Sequence, residues 1–311
     1  MTSPISNWGA ILIGCFIGLI LFGVIAAQAF SYCQDCENDP LWQKLFIAGL
    51  MILGTISTVF SMIWTYQLFI DGWGDPAAYV TAGWPLVAQP MLEGAIAAMV
   101  QLFFAWRLHI IAKRPWLTAA IVSGAFLTFC GGVGTSAATG WLKHYALLKK
   151  NKAIACIWDF SAMITDITIT VALTVHLRRH RGEYEVTNLM INRIIQLTLQ
   201  NGLLTAVVTF VANVLYLSTP SKPYYTAGGL ILPKLYINSA LSTLVARKRL
   251  RTPVNTTLDA VSGSRSLVES KIVGSTSRFS HTAPRRPEVF IEIHEMVDTD
   301  GAIADKKQSH C

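Results

Sequence analysis

Charge is scarce in this sequence. Only 14% of its 311 residues are Asp, Glu, Lys or Arg, where soluble proteins carry about a quarter, and 52% are hydrophobic. That balance excludes an ordinary soluble domain and points to a membrane protein. Cysteine is scarce too. Six residues scattered along the chain cannot frame a disulfide-stapled domain and fix no redox compartment. Cys33 and Cys36 form one isolated pair with no second Cys or His pair nearby, so incidental thiols or palmitoylation are expected there, and neither a metal nor a cofactor. The formal charge of +7 is not gathered into one run or face. Its basic residues flank apolar segments and read as topology signals, with no nucleic-acid partner implied. No Gly-rich phosphate loop, nucleophile elbow or HExxH string occurs, so soluble-type catalysis is not expected.

What is abundant is long apolar runs. A helix needs about 20 apolar residues to cross roughly 30 Å of hydrocarbon. Seven such runs are present, at 8–30, 45–67, 85–108, 116–138, 154–177, 194–217 and 225–246. Gly131, Gly132 and Gly134 crowd the end of the fourth, although glycine is common in membrane helices. The first run has no Lys or Arg before it and is longer than a signal-peptide core, so it is kept as a span. None of the runs alternates in polarity as a membrane β-strand would. The expected fold is all-α, an integral membrane bundle of seven transmembrane helices. With the amino terminus outside, twelve basic residues fall in the inner loops and five, Lys143, Lys149, Lys150, Lys152 and Lys222, in the outer ones. That count favours amino terminus out and carboxyl terminus in the cytosol.

The chain divides into a transmembrane domain, 1–251, and a tail, 252–311, whose Ser, Thr and mixed charge cannot bury enough surface to offset chain entropy. The tail is expected to be disordered. Arg247, Lys248, Arg249 and Arg251 at its start would contact anionic lipid of the inner leaflet, and Ser264 and Ser266 beside Arg265 could take phosphate. Val289 to Ile293 alternates apolar and acidic residues and could add to a partner's sheet edge. The sequon Asn255-Thr256-Thr257 would lie in the cytosol, where glycosylation does not occur.

The sixth and seventh spans carry Asn192-Arg193, Thr198, Gly202-Leu203-Leu204-Thr205, Leu232-Pro233-Lys234-Leu235-Tyr236, Asn238-Ser239 and Leu241, followed by Arg247. In these residues the sequence resembles a family of fungal, mainly basidiomycete, seven-span membrane proteins that carry domain of unknown function 6534. The likeness is densest over 160–250. It extends more loosely to Trp84-Pro85-Leu86, to Val100 through Arg107, and to Asp39, Trp42 and Lys44. The sequence departs from the family's pattern at Cys33 and Cys36 and in lacking an acidic residue in the second span. The resemblance implies fold and topology. The family has no established activity, so it implies no function.

Four ionisable residues fall inside spans: Glu93, Asp159, Asp166 and Lys234. Each costs about 2.5–3.5 kcal/mol on insertion scales and so calls for a pairing or a function. At about 1.5 Å per residue, Glu93 lies roughly 12 Å deep, Asp159 about 8, Asp166 about 18 and Lys234 about 14, one layer of the outer half. This depth predicts a polar layer of Glu93, Asp166, Lys234 and Asn238. In it Lys234 is neutralised by Glu93 or Asp166, and Pro233 frees a backbone carbonyl beside them. The layer reads either as an ion pair fixing helix register or as a ligand or proton site. Asp159, beside Trp158, reads as wetted at the interface. Gln28, Gln101, Gln196, Gln200, Asn201, Asn213, Tyr236 and Asn238 read chiefly as bonds between helices; Asn238 shares the face of Lys234 and Tyr236 does not. A retinal lysine at 234 is disfavoured by Leu230, which stands where a microbial-type counter-ion is expected.

The expected function is receptor-like or sensory, with an outer-half polar pocket, and non-enzymatic. The expected partners are the lipid bilayer, a small apolar or amphipathic ligand and a cytosolic partner of the tail. The first alternative is a membrane-embedded terpenoid cyclase or isomerase using Glu93 or Asp166 as proton donor, an idea that direct contact of Lys234 with both acids would weaken. The second is a small-molecule or ion transporter, disfavoured by the lack of a visible internal repeat. Plasma membrane and endomembrane are both compatible with the sequence.

Overall fold

The computed structural model describes residues 9–34, 39–73, 83–142, 152–179, 185–218 and 225–246. They form α1 (Gly9–Gln34), α2 (Leu41–Tyr66) continued by a π-helical turn (Gln67–Asp71), α3 (Trp84–Ala112), α4 (Pro115–Leu142), α5 (Lys152–Arg179) and α6 (Glu185–Ser218). The last helix is α7 (Thr226–Ala246). No strand occurs among the described residues. Seven helices are long and apolar enough to cross a membrane, which marks the chain as an integral membrane protein. The basic cluster Arg247, Lys248, Arg249 and Arg251, the tail with its serines and sequon, and Cys36 lie outside the described residues.

Local chemistry sets the ends. Pro40 precedes α2 in extended conformation, and Pro85 occupies the first turn of α3, where its missing N–H breaks no helical bond. α3 stops at Lys113, which takes left-handed φ 50° and ψ 28° while its N–H still reaches His109 O at 3.0 Å. Pro115 then opens α4, so two residues turn the chain through the α3–α4 hairpin.

α7 is the central helix: 72% of its most apolar window is buried, against 22% for α4 and 28% for α1. Small residues let its neighbours come close. A Cβ on Gly14 of α1 would lie 2.9 Å from Ala227 Cα, and one on Gly54 of α2 would meet the Ile237 side chain at 2.7 Å. The glycines of α4 do the same work. A Cβ on Gly132 would lie 2.7 Å from Pro90 O of α3, so α4 runs unbroken through the glycine cluster and uses it for close packing. Outward-facing side chains such as Ile20, Phe126 and Leu203 are well exposed and apolar, suited to lipid.

Exposed tryptophans gird both ends of the bundle. Trp42, Trp106 and Trp116 stand at one end, the first two with ring centroids 4.4 Å apart, and Trp73, Trp84 and Trp141 stand at the other. Amphipathic rings at these levels suit the two membrane interfaces. Trp158 breaks the pattern: it begins α5 near the second girdle, yet it is buried.

Candidate functional site

Trp158 is buried because it lines a cavity of about 140 Å³ at the end of the bundle where α3, α5 and α7 begin. α3 contributes Gln89 and Glu93, one turn apart on one face; α4 contributes Thr135 and Thr139; α5 contributes Trp158 and Asp159. Thr209 and Tyr216 come from α6, and Tyr225 and Gly229 from the start of the last helix. The rings of Tyr216 and Tyr225 pack edge to face, 4.6 Å apart at their centroids.

Glu93 is 8% exposed and makes no hydrogen bond or ion pair among the described residues. Its carboxylate lies against α7, where a Cβ on Gly229 would come 3.4 Å from Oε2. Asp159, half-buried, likewise has no hydrogen-bond partner among the described residues, and the two acids are near enough to interact electrostatically. Gln89 Oε1, Thr135 Oγ1, Trp158 Nε1 and Thr209 Oγ1, all on lining residues, are buried without a partner as well. Buried polar groups are nearly always bonded, so such a concentration marks a place where water or a ligand completes the bonding.

The other intramembrane charges face elsewhere. Lys234 is 1% exposed and donates to Ser57 Oγ of α2 at 3.1 Å, beside Cys15 and Gly18 of α1 and outside the cavity. No carboxylate of the described residues pairs directly with it, although it interacts with Glu93 at longer range. Gln89 Nε2 donates to the same Ser57 Oγ at 3.2 Å and to Ser61 Oγ at 3.3 Å, so a polar chain runs from Lys234 through Ser57 and Gln89 to the cavity wall. Asp166 accepts from Gln101 Nε2 at 2.9 Å and from Tyr236 OH at 2.7 Å. Asn238 Oδ1 accepts from Gln28 Nε2 at 2.7 Å, tying α7 to α1.

Of Glu93, Asp166, Lys234 and Asn238, the structure therefore brings Glu93 to the cavity and holds the other three in separate contacts around α7. Several of the expected interhelical bonds form, including Asn201 Nδ2 to Ser242 Oγ at 2.9 Å, while Gln196 and Gln200 are exposed. Tyr236 points away from Lys234, as its spacing predicts. Asp159 is the site residue that sequence reasoning set aside as interfacial. The signal that could have found it is its depth, close to that of Glu93, joined to a tryptophan on the inner side of a girdle.

Two prolines shape this wall. Pro233 has no N–H for the Gly229 carbonyl, and Pro90 has none for Leu86, so two residues lining the cavity lack the regular helical donor to their carbonyls. The freed carbonyl expected from Pro233 thus belongs to a lining residue.

No curated protein and no solved structure matches this chain. The sequence model of a family described as "Family of unknown function (DUF6534)" matches residues 162–249. The match runs from within α5 through α7, takes in Asp166, Lys234 and Tyr236, and stops short of Glu93 and Asp159. The chain thus carries a DUF6534 domain within its seven-helix bundle.

Proposed function

We propose that this protein is a receptor-like, ligand-responsive membrane protein whose ligand occupies the cavity between α3 and α7. The observation that carries the reading is Glu93: an acid more than nine-tenths buried, without a bonding partner among the described residues, at the wall of an open space. A charge in that position is costly unless something neutralises it. The polar chain through Gln89 and Ser57 to Lys234 supports a response, because a ligand that moves Gln89 also moves the partner of the most central charge. Asp166, Lys234 and Asn238 serve in this reading as the scaffold around the site. With the amino terminus outside, the cavity opens toward the exterior and the basic cluster and tail, 252–311, lie in the cytosol. The match at 162–249 supports the domain of unknown function 6534, and the likeness of the Pro-Lys-Leu-Tyr string is the ground for reading the chain as a fungal seven-span protein.

The cyclase reading gains from one contact and loses from another. Lys234 touches neither cavity acid, which weakens the objection to a proton-donating Glu93, although the two still interact at longer range. The volume, about 140 Å³, is close to the roughly 150 Å³ that holds benzene, too small for a lipid-like terpenoid.

The test uses full-length protein in lipid nanodiscs and proteoliposomes, with ring-sized amines, alcohols and carboxylates. The expected result is thermal stabilisation by at least one class, lost in Ala155→Phe, which fills the cavity from α5, with the compound recovered unchanged and not accumulated in the lumen. Chemical conversion would favour the enzyme reading, accumulation would favour the transporter, and silence toward all three classes would overturn the ligand site.

A further inference from the structure

We propose that the cavity binds a small organic ammonium, a primary or methylated amine built on a single ring, with Glu93 and Asp159 as its counter-charges. The inference rests on the reading of this cavity as a ligand site and adds the chemical class of the ligand.

Charge selects the class. Among the described residues no Lys, Arg or His lines the cavity, while two carboxylates do. Neither carboxylate has a hydrogen-bond or ion-pair partner among the described residues, so any negative charge they carry has no bonded counter-charge in a low-dielectric interior. An anion would add to that charge, and a neutral molecule would leave it standing; a cation removes it.

Most of the remaining unpartnered polar groups can accept, although Trp158 Nε1 can only donate. Gln89 Oε1 and Thr209 Oγ1 are buried, unpartnered oxygens able to accept. The carbonyls of Leu86 and Gly229, deprived of helical donors by Pro90 and Pro233, add two more acceptors on lining residues. An ammonium brings up to three N–H donors to such a set.

Aromatic walls and size make the cation organic. Trp158, Tyr216 and Tyr225 supply the electron-rich faces that attract ammonium groups. The described residues contain no group of three or more His, Cys, Asp or Glu side chains placed to hold a metal ion. The space accommodates about one six-membered ring.

The probes are benzylamine, benzyl alcohol and benzoate, matched in shape and different in charge. Binding is measured by calorimetry on the full-length protein in nanodiscs, with helical circular dichroism as the check on folding. Benzylamine should bind at least about tenfold more tightly than either other probe, and Glu93→Gln together with Asp159→Asn should erase that preference. Equal or tighter binding of benzyl alcohol or benzoate to the unmodified protein overturns the ammonium assignment without needing any variant. If that binding is lost in Ala155→Phe, the ligand cavity itself stands. Persistence of the amine preference in the double variant also overturns the assignment, and failure of all three probes to bind overturns both it and the ligand site.

Discussion

Asp166 and Glu93 are both buried acids inside the membrane-spanning bundle, and both lie beside α7, yet their surroundings differ. Asp166 has both carboxylate oxygens bonded, one to Gln101 and one to Tyr236, in a cluster with almost no free space. Glu93 has none bonded among the described residues and faces the cavity of about 140 Å³. A saturated acid fixes how α3, α5 and α7 rotate against one another. An unsaturated one is a vacancy in the bonding pattern, and vacancies are where ligands or water bind.

The sharpest way to break this comparison is to remove each acid in turn. Asp166→Ala strands Gln101 and Tyr236, at about 1–3 kcal/mol for each stranded group, and thermal unfolding in nanodiscs should fall accordingly. Glu93→Gln strands nothing, and its unfolding temperature should hold or rise while benzylamine binding weakens. A fall in stability for Glu93→Gln equal to that for Asp166→Ala would make the two acids alike and sink the distinction.

Tyr236→Phe isolates one bond of the closed cluster. Hydrogen bonds to charged groups contribute about 1.5–3 kcal/mol, so this variant should be less stable by that order with benzylamine affinity unchanged. Lys234→Met crosses between the two regions. It removes a cation that interacts with Glu93 at a distance, so benzylamine should bind a few-fold more tightly, as titration calorimetry can read. Weaker binding would place the lysine inside the site. The smallest effect is expected for Gln28→Leu, which removes the α1–α7 tie to Asn238 at a cost of about 0.6 kcal/mol and leaves binding alone.

The prominent features of the fold were legible in the residues. Runs of apolar side chains gave seven spans within a few residues of the helices observed, because span length is a local property set by hydrocarbon thickness. The ends moved outward, most of all at α6, which begins at Glu185 where 194 was expected, and also at α2, which continues through the π-helical turn to Asp71. The candidate site was legible only in part. Glu93 stood out as an acid in an apolar run and reached the cavity, as did Asp159, which was read as interfacial, whereas Gln89 and Tyr216 carried no sequence signal strong enough to join them to it.

Depth and direction explain that split. Position along a helix converts to depth at about 1.5 Å per residue, so the sequence alone determined that Glu93, Asp159 and Lys234 lie at similar depths from one end of the bundle, with Asp166 nearer its middle. Which neighbour each one meets depends on the rotation of its helix and on which helices pack beside it. A turn of 100° per residue sends Lys234 to Ser57 and Tyr236, two positions on, to Asp166. Only the tertiary structure decided that one layer of charge becomes a closed hydrogen-bonded cluster, a lysine on a serine, and an open acidic cavity. Those pairings arise between segments far apart in the chain, through glycine contacts and helix rotations that no single run of residues specifies.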